Sequence, residues 1–261
     1  MPELPEVEAV TRKMRAAAPW SEIVATGQFR PTTALDLERA VGRRLEGVTR
    51  RGKHILLTLA DGPVVRVHLK MTGNLVVIPD VRLRTANVRA WLTLSDGRGI
   101  VLEDPRALGR LTYHEGIEGL FDDLGPEPFS AEFTAQHFVA QAQATKKPVK
   151  LLLMEQRAVV GLGNIYAAEA LFQAGIHPAK PANEISVVRL KRLHGQIVDV
   201  LTAALDSAIA AYEQPGGFTE GENFPVAVYG REGEACWRCQ AAIRRMPQGG
   251  RSTYYCPKCQ R

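Results

Sequence analysis

Residues 236–259 read CWRCQAAIRRMPQGGRSTYYCPKC. All four cysteines of the chain fall here, as Cys236-Trp-Arg-Cys239 and Cys256-Pro-Lys-Cys259, separated by sixteen residues. Two such knuckles supply four thiolates for a tetrahedral zinc ion and leave no open ligand position for chemistry, so one structural Zn2+ is expected. The stretch between them reads as a hairpin: AAIRRM, a turn at Gly249-Gly250, then RSTYY. So short a hairpin has no core of its own, and the metal must supply its folding free energy. Disulfides are the competing reading. They are disfavoured because the chain reads as cytosolic and nothing upstream depends on cysteine.

The same tail is basic. From Tyr229 onward, Arg231, Arg238, Arg244, Arg245, Arg251, Lys258 and Arg261 are opposed only by Glu232 and Glu234. This local excess of five equals the net charge of the whole 261-residue chain, so the remainder is balanced. A short basic module on a neutral body points to a polyanion partner. Arg251, at the hairpin turn, is placed to reach a phosphate backbone. No run of 18 apolar residues and no charged-then-apolar signal region is present, so no membrane partner is expected. The expected location is cytoplasmic, in a bacterial cell.

Upstream of the finger the pattern is helical, in AEFTAQHFVAQAQA, PVKLLLMEQ, IYAAEALFQAG and VVRLKRLHGQIVDVLTAALDSAIAAY. In VVGLGNIYAAEALF, Gly161 and Gly163 allow a tight turn and Asn164 is expected to cap the following helix. A glycine turn feeding a helix start offers N–H groups to a phosphate. An ordinary interhelical turn has the same look. Before the proline-bearing linker LGPEPFSAEF come the strand-like segments HILLTLA, PVVRVHL, NLVVIP, VRAWLTL and GIVLED, with hairpin turns at Asp61-Gly62 and Asp96-Gly97. These predict an antiparallel sandwich or barrel to about residue 122.

The chain opens MPELPEVE. From Glu3 to Ala17, Val7, Val10 and Met14 share one helical face, with acids in the first turn, bases in the last, and Pro19 as the stop. The acidic start is explained by a well-started helix alone. It also places a carboxylate directly after a proline that becomes the first residue once Met1 is removed.

Together, PELPEVE, VVGLGNIYAAEALF and CWRC…YYCPKC, in this order and over essentially the full length, resemble the formamidopyrimidine-DNA glycosylase family, the Fpg/Nei base-excision enzymes. PELP, rather than PEGP, points to the formamidopyrimidine branch. The resemblance implies an α+β fold: an N-terminal helix plus antiparallel β-sandwich (1–122), a linker (123–135), a helical domain with a helix–two-turn–helix (136–224) and a four-cysteine zinc finger (225–261). It implies a bifunctional DNA glycosylase and abasic-site lyase that excises oxidised bases (formamidopyrimidines, 8-oxoguanine or its further-oxidised products) from double-stranded DNA. Chemistry proceeds through an iminium on an N-terminal proline and β,δ-elimination, in a nucleoid-associated monomer. Pro2 is the implied nucleophile, Glu3 the proton shuttle and Lys53 a phosphate-binding catalytic lysine. His68, Lys150, Asn164 and Arg251 match positions near DNA, while Glu6 and Glu169 match supporting positions. Met71, Arg106 and Leu108 match the plug that fills the gap left by a flipped nucleotide. Lys53, His68, Lys150, Asn164, Arg251 and Glu169 also have innocent readings as caps or surface charges.

Two departures bear on lesion choice. Leu108 stands where the family usually has phenylalanine. The connection EQPGGFTEGENFPVAVYGREGEAC contains no segment like the TLRD loop that covers 8-oxoguanine in many members. A more open pocket is expected, with 8-oxoguanine opposite cytosine cut more slowly than formamidopyrimidine or hydantoin lesions. Two alternatives remain open: an endonuclease VIII-like enzyme preferring oxidised pyrimidines, and a non-catalytic zinc-ribbon DNA-binding protein, which would give Pro2 and Glu3 no role.

Overall fold

The computed structural model describes residues 2–17, 21–212 and 224–261. Pro19 and the connection 213–223 lie outside them. The chain divides into two compact units, one of Met1–Pro2, Glu6–Asp122 and Ile209–Glu220, the other of Glu3–Pro5, Asp123–Ala208 and Gly221–Arg261. No helix among the described residues is long and apolar enough to cross a membrane.

The first unit is a β-sandwich with a helix against its core. Helix α1 (Leu4–Ala17) buries Val7, Val10 and Met14 from that face. Nine strands follow: β1 (Ile23–Gln28), β2 (Ala34–Leu35), β3 (Leu45–Arg51), β4 (His54–Leu59), β5 (Val64–His68), β6 (Asn74–Ile78), β7 (Val88–Leu94), β8 (Gly99–Glu103) and β9 (Arg110–His114). They form one sheet of order β1-β7-β8-β6 and another of order β2-β9-β5-β4-β3. Alternation decides which face is buried: along β7, Val88, Ala90, Leu92 and Leu94 are buried and the residues between them are not. Ile100 and Leu102 of one sheet and Ile55, Leu57, Val65 and Val67 of the other share one core. Asp61 and Gly62 both take positive φ (66° and 102°), which matches the strand twist in the β4–β5 turn. One pairing departs from the antiparallel expectation: the two-residue β2 runs parallel to β9. So short a segment carries no periodic signal, and its place is set by the backbone that leads into it.

The second unit is helical: α2 (Ala135–Gln143), α3 (Val149–Met154), α4 (Asn164–Ala174) and α5 (Val187–Tyr212, within this unit as far as Ala208). Helix α2 is capped by the Thr134 hydroxyl, which accepts from the His137 N–H at 3.0 Å. Helix α4 is buried on nearly every side. Ile165, Tyr166, Ala170 and Leu171 pack into the helical core, whereas Ala168 and Phe172 pack against Cys236, Ile243 and Cys256 of the finger. The finger's hairpin joins β10 (Arg244–Gln248) to β11 (Arg251–Tyr255) through Gly249 and Gly250, both at positive φ.

Candidate active site and DNA-binding surface

In the helical unit the N-terminus of α4 is closed by a residue from the far end of the chain. Gly163, not Asn164, is the N-cap position, and its glycine has no side chain to offer. The Glu3 carboxylate takes its place. Oε2 accepts from the Gly163 N–H at 2.5 Å and the Tyr166 N–H at 3.3 Å, and Oε1 accepts from the Ile165 N–H at 2.8 Å. The expectation that Asn164 caps this helix is therefore corrected, and the N–H groups read as a phosphate cradle are held by a carboxylate. The loop is fitted around this carboxylate: a Cβ on Gly163 would lie 2.5 Å from the Glu3 Cδ, and one on Gly161 (φ +93°) 2.6 Å from the Leu4 Cβ. Gln156, itself at φ 64°, accepts from the Gly161 N–H at 2.8 Å and donates to the carbonyls of Met154 and Leu162. Sequence reading missed Gln156, whose only signal was a polar residue ending an apolar helix.

Asn164 instead turns toward the finger. Its Nδ2 donates to the Ser252 carbonyl at 3.0 Å, and its Oδ1 accepts from the Lys150 ammonium at 2.5 Å. Lys150, buried in α3, also donates to the Thr253 hydroxyl at 2.6 Å. Burial pulls the Lys150 ammonium down to about 8; Glu3's charge opposes this and Arg251's adds to it. One buried cation thus fixes the start of α4 and the strand that begins with exposed Arg251. Glu169, fully buried, accepts from the N–H groups of Ala227, Val228 and Tyr229 at 2.7–3.0 Å. Burial raises its carboxyl above the usual range, against the three hydrogen bonds and the charge of Arg231. It anchors the chain entering the finger.

The four cysteine sulfurs lie within 4.8 Å of one another, with Cys239–Cys256 at 3.4 Å and Cys236–Cys259 at 3.9 Å. A tetrahedron with the usual Zn–S bond has edges of about 3.8 Å, so the donors fit this ion. Buried Gln260 accepts from the Cys256 N–H and donates to the Ile176 carbonyl, which fixes the second knuckle against the helices.

In the sandwich unit Pro2, Glu6 and Lys53 are buried. Lys53 follows Gly52 (φ 55°) in the β3–β4 turn. His68 is paired across the ladder with His54, ring centroids 4.7 Å apart. Burial, then the charges of His54, Lys70, Lys53 and Arg66, press its pKa down to about 3. His68 is neutral at pH 7. Its Nδ1 accepts from the Lys70 N–H at 2.9 Å, so Nε2 carries the proton and is a donor.

The structure brings Met71 and Arg106 together, with Arg106 Nη1 3.4 Å from the Met71 sulfur and both side chains exposed. Leu108 is half-buried in the Arg106 loop. Both loops turn through non-glycine residues at positive φ, Lys70 (57°) and Ala107 (53°). Asp104 holds them and was missed from sequence. Its carboxylate, with no exposed surface, accepts from the N–H groups of Arg106 (3.1 Å), Leu108 (2.6 Å) and Gly109 (2.6 Å) and from the Thr72 hydroxyl. Burial alone would raise this carboxyl; Thr72 and the N–H groups of Gly109, Leu108 and Arg106 hold it below its ordinary value. An Asp-Pro-Arg sequence at a strand end was the available signal.

A four-cysteine finger packed on a helical unit, with a buried carboxylate that directly follows Pro2 closing a helix start, is the set of features of a DNA-repair enzyme of the glycosylase class. Three family models match: the formamidopyrimidine-DNA glycosylase N-terminal domain over residues 1–111, the formamidopyrimidine-DNA glycosylase H2TH domain over 124–213, and the zinc finger found in FPG and IleRS over 233–261. Formamidopyrimidine-DNA glycosylases of Syntrophotalea carbinolica and Chloroflexus aggregans are 37% and 38% identical, covering 100% of this chain and 100% and 98% of their own. Among solved structures, the MutM (Fpg) protein of Thermus thermophilus superposes with a TM-score of 0.88 at 36% identity, over 99% of this chain and 98% of that one. The Lactococcus lactis Fpg (MutM) complex with Fapy-dG-containing DNA gives 0.89 at 29%, over 99% of each. The chain belongs to the formamidopyrimidine-DNA glycosylase family, and is a DNA glycosylase with abasic-site lyase activity.

Three outcomes follow. Gly163→Ala displaces the Glu3 carboxylate and is expected to lower turnover by about a hundredfold, the effect on activity of a displacement of about 1 Å, while circular dichroism stays native. Asp104→Asn turns an amide toward N–H donors and loosens the two loops that carry Met71 and Arg106. It costs about 1–3 kcal/mol in thermal unfolding and slows lesion insertion, read by 2-aminopurine fluorescence beside the lesion. Cys256→Ser or chelation releases zinc and unfolds the finger, abolishing tight DNA binding while the sandwich still melts cooperatively, as followed by calorimetry with zinc analysis.

Proposed function

We propose that the chain excises oxidised bases from duplex DNA with Pro2 as nucleophile, then nicks the strand at the abasic site. The observation that carries this reading is the anchoring of Glu3, the residue after Pro2, by three backbone donors at the start of α4. An α-amine has a pKa of about 8, so about a tenth of it is unprotonated and nucleophilic at pH 7. The Pro2 nitrogen attacks the sugar C1′, and the C1′–N bond to the base breaks as the base takes up a proton. Opening of the sugar ring leaves an iminium. A secondary amine gives an iminium with no N–H to lose, so it remains a cationic electron sink. Removal of a C2′ proton expels the 3′ phosphate, and a second elimination expels the 5′ phosphate. Glu3 moves protons at the sugar.

Lys53, Asn164 and Arg251 hold phosphates about the lesion. Neutral His68 adds its Nε2–H donor, and buried Lys150 positions Asn164. Met71, Arg106 and Leu108 fill the gap left by the flipped nucleotide, as apolar wedges do in other duplexes. Glu6 and Glu169 support the fold around the site. The connection expected to govern lesion choice, 213–223, falls outside the described residues. The preference for formamidopyrimidines over 8-oxoguanine therefore stands on the sequence and on Leu108.

Borohydride is expected to trap the enzyme on lesion or abasic DNA, and Pro2→Gly or retention of Met1 to weaken trapping greatly. Glu3→Gln is expected to slow base removal by about 10²–10⁴-fold with a smaller effect on binding. Undiminished trapping with a blocked terminus would move the nucleophile elsewhere, with Lys53 the first position to test. Single-turnover cleavage of duplexes differing only in the lesion reads the preference. If 8-oxoguanine is cut fastest, the argument from the short connection fails.

A further inference from the structure

At the C-terminal end of α4 lies an open basin of about 560 Å³ that the proposed chemistry does not use. Its lining carries five cationic side chains, Arg189, Arg192, Arg238, Lys258 and Arg261, and no carboxylate side chain. Arg238 lies inside the first zinc knuckle and Lys258 inside the second, so the metal site fixes the backbone that carries both.

Part of this charge has a structural use. Arg189 donates to the carbonyls of Gly175 (2.9 Å) and Arg261 (2.6 Å), Arg192 to that of Ala174, and Arg238 to that of Phe172 (3.1 Å). These groups close the end of α4, where the helix dipole amounts to about half a negative charge. A terminal carboxylate on Arg261 would add one more. Set against five cations, the excess is still more than three positive charges. The side chains of Lys258 and Arg261 make no hydrogen bond or ion pair with the described residues. Burial, and after it the neighbouring Arg192 charge, lower the Arg189 pKa.

The chemistry of the lining selects the ligand. Arginine forks match two phosphate oxygens at once. Arg238 is stacked 4.4 Å from the Phe172 ring centroid and donates to the Phe172 carbonyl and to the Gln173 Oε1, so it contributes fixed positive charge while Lys258 and Arg261 supply the uncommitted donors. The remaining lining, Gln173, Ala174, Gly175 and Cys259, offers no aromatic or long aliphatic side chain to seat the apolar residues of a peptide. We propose that this basin is a second phosphate-binding site, taking a phosphodiester group of DNA outside the segment held by Asn164 and Arg251. The proposal rests on the reading that this chain acts on DNA. The two sites sit at opposite ends of an eleven-residue helix, about 16 Å apart. The phosphodiester comes either from a flanking part of the bound duplex or from a second DNA segment.

The test is the Lys258→Gln/Arg261→Gln double variant of the zinc-loaded protein, with Lys258→Arg as the charge-retaining control. Zinc content and thermal melting verify folding. Salt dependence of affinity is measured on short and long lesion duplexes, and release from labelled duplex is measured against rising unlabelled, lesion-free duplex. Single-turnover cleavage at saturating enzyme is expected to be unchanged. If flanking DNA fills the basin, the salt slope falls by about one to two on the long duplex only. If a second segment fills it, competitor-driven release slows severalfold. Either result supports the site, and Lys258→Arg retains most of the effect. Unchanged slope and unchanged release would overturn it, as would equal displacement of DNA by polyglutamate. A wild-type protein that binds DNA but cuts no lesion would sink the catalytic reading and leave the binding measurements to decide the basin.

Discussion

The Glu3 carboxylate closes the N-terminal end of α4, and much of the helical unit is arranged to let it do so. Three backbone donors of a buried helix start would otherwise be unsatisfied, each at a cost comparable to a lost hydrogen bond. No side chain of the local loop reaches them, because Gly163 occupies the cap position. The glycines that make the loop passable also remove the local cap, and the chain's third residue supplies it from 160 positions away. Glu3 is thereby held in a fixed place, as the role proposed for it beside Pro2 requires.

The helical unit repeats this device with other buried polar groups. Lys150, Glu169 and Gln260 each tie a helix or the turn after it to the finger, and all three are almost fully buried. Each is satisfied by two or three hydrogen bonds, so desolvation is offset and the geometry is narrowly specified. The finger's hairpin is too small to choose its own orientation. Zinc closes it, α4 supports it through Ala168 and Phe172, and Lys150 sets the strand that begins with Arg251.

The sandwich unit uses the same logic at its surface. Asp104 holds two loops that expose Met71 and Arg106 side by side. Exposed side chains such as Met71 and Arg106 gain no rigidity from packing. A buried carboxylate collecting N–H groups from their loop supplies that rigidity without covering them.

The sequence by itself determined the zinc site, the hairpin turn at Gly249-Gly250, the long helix from Val187 to Tyr212 and the five strands with clear hydrophobic runs. Each rests on a local signal: cysteine spacing, glycine at positive φ, or apolar periodicity. Motif order also carried the family. Only the tertiary structure decided how α4 is capped, why Asn164 faces the finger, and that Asp104 and Gln156 hold the loops. It also placed β2 beside β9, a two-residue pairing with no periodicity to read. The reason is physical. Hydrogen-bond partners at long sequence separation leave no spacing rule in the chain, and a buried carboxylate looks like any other acid until the fold shows which N–H groups it faces.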